Sequence, residues 1–181
     1  DVVRNLPGNV IALGDVGVAN SVSAAMLLSR LCGVPLVDAF GRDDTETGNL
    51  DDTQHVKRVE KLSAAASKHR NALGPFEALA ALGGFEIAMM TGAMLQAASE
   101  RRVVLVDGYV AGAAALVARG LCPDVVDYLV FTHRAADAGH RLLLIHMQAQ
   151  PLLDMGLRLG QGTGALLAWP MLLAAQSLLE R

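Results

Sequence analysis

Leu157-Arg158-Leu159-Gly160-Gln161-Gly162-Thr163-Gly164-Ala165 runs straight into the apolar stretch 166–179, and the reading of this junction decides the fold. Three glycines at alternate positions leave a backbone that a ligand can approach closely. The uncharged run behind them reads as a buried helix, kinked or restarted at Pro170. The loop then presents free N–H groups and the positive end of a helix dipole, a setting for a phosphate or a sugar hydroxyl. The same spacing also serves a plain glycine-rich turn into a helix.

Upstream, strand patterns alternate with helical ones. Residues 9–13 form a short apolar run closed by Gly14, which reads as a buried strand. The loop from Asp15 to Asn20 follows, with Ser21 as N-cap of a helix over 22–31. Residues 36–40 fit a second short strand, and 41–52 a solvated acidic loop holding Asp43, Asp44, Glu46, Asp51 and Asp52. The stretch 53–71 predicts an amphipathic helix with Val56, Val59, Leu62 and Ala66 on its apolar stripe. Helices over 76–82 and 85–98 flank the Gly83-Gly84 break, with Met89, Met90 and Met94 as core filler. A strand at 103–106, a small-residue helix at 110–119, a strand at 127–131 and a helix at 138–148 complete the series. Strands alternating with helices predict an α/β fold: a parallel, doubly wound, Rossmann-like sheet of three or four strands flanked by helices.

Composition narrows the function classes. Hydrophobic residues make up 52 % of the chain but aromatics only 4 %, so the core is built from Ala, Leu, Val and Met. With 181 residues and no linker, the chain reads as one α/β domain, 1–181. A net charge of −3 without a basic block gives no footprint for nucleic acid. Residues 162–179 carry no charge, yet Pro170, Gln176 and Ser177 interrupt them, and no membrane span is expected. The first residues do not read as a signal peptide, and Cys32 and Cys122 fit reduced thiols, so a cytoplasmic setting is expected. Gly14-x-x-Gly17 falls short of a dinucleotide fingerprint, and His140 and His146, six apart, do not share a helix face as metal ligands would. No cofactor and no metal are expected.

The junction also carries a resemblance. Arg-Leu-Gly-x-Gly-Thr-Gly-Ala is similar to the C-terminal signature of the nicotinate-nucleotide–dimethylbenzimidazole phosphoribosyltransferases, which build the lower-ligand nucleotide of cobalamin. Collinear stretches agree in type and order: Leu82-Gly83-Gly84-Phe85-Glu86-Ile87-Ala88 with Thr91-Gly92-Ala93, Val104-Leu105-Val106-Asp107-Gly108-Tyr109, and Asp127-Tyr128-Leu129-Val130-Phe131-Thr132-His133 with Gly139-His140. Gly14-Asp15-Val16-Gly17-Val18-Ala19-Asn20 resembles the family's Gly-Glu-Met-Gly-x-x-Asn loop less closely. Members of that family are about twice as long, and the match covers their second half, so a fragment, a short paralogue and one half of a two-chain assembly all fit.

The resemblance implies a pentosyltransferase moving ribose 5-phosphate from nicotinate mononucleotide to an aromatic base such as 5,6-dimethylbenzimidazole. It implies the large domain's parallel sheet, and self-association as a homodimer or pairing with a homologous chain. The family's general-base glutamate falls at Gln161, and its first-loop acid at Asp15, one methylene shorter. Glycines 14, 17, 160 and 162 with Asn20 match the loops that hold phosphate and ribose. Gly41-Arg42 matches the start of a loop that closes on the phosphate. The family's phosphate-binding lysine falls at Lys57 or, by a shift of register, Arg58, and its hydroxyl at Thr132. Lys57 equally suits an ordinary surface cation.

Three further candidates come from the residues themselves. Asp107 and His133 stand at the carboxyl ends of strands, the edge where open α/β sheets bind ligands, although a histidine there also serves as a plain hydrogen-bonding group. Glu86, a carboxylate in an apolar helix, either caps the Gly-Gly turn or faces the site.

Overall fold

In the computed structural model the described residues are 1–41, 43–44, 48–49, 51–158 and 160–180, with side chains left aside at 43–44, 48–49 and 52. Arg42, Glu46 and Leu159, named above, lie outside them. A short helix α1 (Val2–Asn5) precedes β1 (Val10–Leu13), α2 (Asn20–Cys32) and α3 (Leu36–Phe40). The pairs β2 (Asp43–Asp44) and β3 (Gly48–Asn49) make a small antiparallel ladder before α4 (Asp52–Lys68), α5 (Pro75–Leu82) and α6 (Phe85–Ser99). Then come β4 (Val103–Val106), α7 (Gly108–Leu121), a 3-10 turn (Pro123–Tyr128), β5 (Leu129–Phe131) and β6 (His133–Ala135). Helix α8 (Ala138–Met147), β7 (Leu153–Leu157) and α9 (Thr163–Leu179) finish the chain.

The main sheet has the order β1-β4-β5, parallel throughout, with Val10 opposite Val103 and Val104 opposite Leu129. It is the α/β class expected, a parallel sheet flanked by helices. Beyond it, β6 and β7 pair in parallel as a second, two-stranded sheet. This brings the chain entering the glycine loop alongside the chain leaving β5.

Helix α7 is the axis of the core. Residues 108–118 are buried without exception, and α7 packs against α2, α5, α6 and α8. A helix enclosed on all sides must be thin, which is why Gly112, Ala111, Ala113, Ala114 and Ala115 stand in it. Around it Leu27, Leu28, Ile87, Met94 and Leu143 are fully buried, each worth roughly 1.5–3 kcal/mol. Local signals set the ends: Asp51 accepts from the Gln54 N–H at 2.8 Å to cap α4, and Pro75 opens α5.

Several expectations are corrected. Residues 36–40 are helical, not a strand: Leu36, Ala39 and Phe40 turn inward at helical spacing, and Pro35 supplies the starting φ of −55°. Ser21 lies inside α2 and Ala19 is the cap, so the helix begins earlier than a serine cap predicts. On α4 the inward position goes to His55, 4 % exposed, and Val56 faces out. Met89 is exposed, whereas Met90 and Met94 are core. Asp127 and Tyr128 belong to the 3-10 turn, so β5 starts at Leu129. Helix α9 runs through Pro170 and is not a core helix: only Gly164, Ala165 and Ala168 are buried, while Leu166 and Leu178 stay exposed. Among the described residues no helix is long and apolar enough to cross a membrane.

Candidate functional site

Four chain crossings meet at the carboxyl edge of the parallel strands. The segment after β1 carries Gly14, Asp15, Gly17 and Asn20; the end of β4 carries Asp107; β5 leads to Thr132 and His133; and β7 leads to Arg158 and the glycine loop. They surround a cleft of about 210 Å³ lined by Asp15, Gly17, Asn20, Asp107, His133, Gly160 and Gln161, with Tyr109, Asp137 and Arg158 also on its wall. Ala135 and Asp137 also line a wider groove of about 1090 Å³ beside it, which holds Gly41, His55, Arg134 and Arg141.

The close approach of the first and last loops is a backbone matter. A Cβ on Gly14 would fall 2.9 Å from the Gly162 Cα and 3.1 Å from the Gln161 carbonyl carbon, and closer still to the Gly162 nitrogen. Gln161 and Gly162 have φ of +63° and +88°, two left-handed residues in succession, so the chain reverses sharply into α9. For Gln161, a residue with a Cβ, that conformation costs about 1–2 kcal/mol.

The Gly162 N–H donates to Asp107 Oδ2 at 2.7 Å, and the Thr163 N–H donates to the Gly160 carbonyl at 3.2 Å. The Gly162 amide thus ties the loop to the end of β4 while the Thr163 amide closes the turn within the loop, and those two are not free for a ligand.

Asp15 is half-buried and accepts a hydrogen bond from the Asn20 side chain. Burial raises its pKa, the charges of Glu86 and Asp107 add to this, and the Asn20 bond opposes it. Asp15 therefore has an increased hold on a proton. Glu86, in the first turn of α6, contributes as a charge felt at Asp15.

His133, on the cleft wall, and His140, behind it, are buried with rings edge to face, 6.1 Å between centroids. His140 Nδ1 accepts the Ala135 N–H at 3.0 Å. Burial, reinforced by His133, lowers its pKa to about 3, so it stays neutral. Tyr109 donates its hydroxyl to the Ala39 carbonyl at 2.9 Å, and burial pushes its phenol far up.

Other sequence candidates stand elsewhere. The Thr132 hydroxyl is fully buried and donates to the Val106 carbonyl at 3.0 Å. Lys57 is exposed on α4, and Gly41 lines the wider groove. Arg58 stacks over Phe40, 4.8 Å from the ring centroid. Arg158, inside the motif quoted first, also stands on the cleft wall. Asp137 stands there too, and its position just before a helix is the one signal the sequence carries for it.

A family model described as "Phosphoribosyltransferase" matches residues 3–181. The chain is 51 % identical over 172 residues to the nicotinate-nucleotide–dimethylbenzimidazole phosphoribosyltransferase of Cupriavidus taiwanensis, covering 95 % of this chain and 49 % of that protein. The protein of the same name from Dechloromonas aromatica is 48 % identical over 185 residues, covering 99 % and 52 %. Among solved structures, CobT from Thermus thermophilus superposes with a TM-score of 0.84 at 32 % identity, covering 96 % of this chain and 50 % of that one. The chain thus spans about half the length of the relatives it matches.

Proposed function

From a chain that belongs to the nicotinate-nucleotide–dimethylbenzimidazole phosphoribosyltransferase family, we infer a pentosyl transfer at the carboxyl edge of the sheet. An azole nitrogen of 5,6-dimethylbenzimidazole or a related base attacks C1′ of nicotinate mononucleotide. The bond from C1′ to the pyridinium nitrogen breaks, nicotinate leaves with that electron pair, and the azole N–H gives its proton to a base. The product is α-ribazole phosphate, a nucleotide of cobalamin biosynthesis.

The observation that carries this reading is the cluster of Asp15, Asp107 and Gln161 around one cleft at that edge. The Asp15 carboxylate faces the region where the ribose becomes cationic, and negative charge there lowers the barrier. Gln161 keeps the shape of glutamate but takes no proton at neutral pH. Asp15, with its raised pKa, is the group suited to take the azole proton in its stead. The reading carries with it a cytoplasmic setting and a homodimer or a pair with a homologous chain.

Gln161 also favours a second reading, a chain that binds the nucleotide with little or no turnover. Nicotinate release by the purified chain and by Gln161→Glu separates the two. Release by the native chain, rising about 100- to 10,000-fold in the variant, supports transfer with an impaired base. No release from either, with nicotinate mononucleotide still bound in calorimetry, supports the binding chain. Absence of binding defeats both.

A further inference from the structure

Asp107 is 1 % exposed, lies on the cleft wall and touches two other parts of the site. Its Oδ2 accepts the Gly162 N–H at 2.7 Å, joining residues 55 apart in the chain. Its Oδ1 lies 3.3 Å from His133 Nδ1, inside ion-pair range but off the line of a hydrogen bond, and makes no hydrogen bond among the described residues.

The proton on His133 follows from its neighbours. Thr132 Oγ1 has one hydrogen and gives it to the Val106 carbonyl, so towards His133 Nδ1, 3.2 Å away, it acts as acceptor. This assigns the proton to Nδ1, where it faces both Thr132 Oγ1 and Asp107 Oδ1. One carboxylate therefore accepts a backbone amide with one oxygen and sets the charge of the other beside an imidazole N–H.

The glycine loop needs such a fixture. Gln161 is held left-handed although its side chain is exposed and makes no hydrogen bond among the described residues. Hydrogen bonds to an ionised acceptor are roughly twice as strong as neutral ones, and the Asp107 link falls on the next residue. Gly164 completes the fit: a Cβ there would come within 2.7 Å of His133 Cε1 and closer still to His133 Nδ1 and Asp107 Oδ1.

We propose that Asp107 is the positioning residue of this site, fixing the backbone at Gln161 through the Gly162 amide and orienting the His133 ring by the charge that its Oδ1 sets beside the Nδ1 proton. The consequence for rate rests on the transferase reading; the geometry does not.

Two measurements on the whole chain test this. The first is nitrogen-15 NMR of Asp107→Asn, nearly the same size, against the native protein. An amide side chain offers one acceptor where the carboxylate offers two. Either the Gly162 amide exchanges with solvent at least about tenfold faster, or His133 moves its proton to Nε2. If both signals stay as in the native chain, the proposal is overturned.

The second is kcat and KM for nicotinate release in a Gln161→Glu background. Adding Asp107→Ala lowers kcat about 100-fold, as for a displacement of about 1 Å, with KM for nicotinate mononucleotide within about threefold, and Asp107→Asn recovers part of the loss. A KM effect with kcat retained would make Asp107 a ligand contact and overturn the positioning role. A Gln161→Glu chain without turnover would count against the transferase reading, and the NMR result would still decide the role of Asp107.

Discussion

The glycine in the first turn of α9 gives the sharpest test of how the site is assembled. At Gly164 a methyl group meets His133 and Asp107 well inside 3.0 Å, and neither is the free end of a flexible side chain, since both are buried. Overpacking of this kind costs about 1–3 kcal/mol. If Asp107 gives way, it forfeits the Gly162 hydrogen bond, for about 1–3 kcal/mol more. Alanine recovers up to about 1 kcal/mol over glycine in a helix. Gly164→Ala is therefore destabilising by about 1–5 kcal/mol, a fall in Tm of about 2–20 °C for a chain of this size. Gly92, in α6, is the control: it is exposed and a Cβ there meets nothing within 4 Å. Gly92→Ala gains the helix preference alone and raises Tm by about 2–4 °C. Thermal unfolding followed by far-UV circular dichroism reads both. The reasoning fails if Gly164→Ala melts with or above the native chain, or if the two variants move in the same direction.

Three further outcomes follow from the same geometry. His140, held neutral with a pKa of about 3 against an ordinary 6.5, binds its proton in the unfolded chain first, so its contribution is intact above pH 6.5 and is lost as pH falls towards 3. At pH 5 the loss is of order 2 kcal/mol, and urea titrations across that range show a slope that His140→Gln flattens. Asp15 shifts the other way: its raised pKa makes its charge a cost to the fold above that pKa, so Asp15→Asn is more stable than the native chain at neutral pH, and the gap closes as pH falls to about 4. The same variant loses about 100- to 10,000-fold in nicotinate release, measured by chromatography. Gly14→Ala drives a Cβ into the Gly162 and Gln161 backbone, which has no rotamer to yield with; it destabilises by about 1–3 kcal/mol and weakens nicotinate mononucleotide in calorimetry.

The alternation of strands and helices was legible because each main-sheet strand is a short apolar run closed by a polar or glycine residue: Gly14 after β1, Asp107 after β4, Thr132 after β5. That rule also put Asp107 and His133 on the ligand edge. What escaped the sequence is of two kinds. Residues 36–40 span little more than one helical turn, too short for their spacing to show its period. The exposure of α9 is not legible because an uncharged run states what a helix tolerates, not what stands against it. The contact of Asp107 with Gly162 escaped because it depends on how β6 and β7 pair, and no local pattern announced β7.

These contacts also bear on why glutamine is tolerated at position 161. The loop is held by the Gly162 amide on Asp107, by the approach of Gly14 to the Gly162 backbone and by the bare α-carbon of Gly164 against His133. None of these uses the side chain at 161, which is exposed. Exchanging glutamate for glutamine there removes a charge and a proton acceptor while leaving every backbone support in being. The fold and the chemistry at that position are thus separable. Gln161→Glu accordingly changes Tm by less than about 2 °C, since a surface substitution away from packing and caps stays within about 0.5 kcal/mol, while nicotinate release responds by orders of magnitude. A large change in stability in that variant would mean that the side chain at 161 carries part of the loop after all, and any gain in rate would then say little about a missing base.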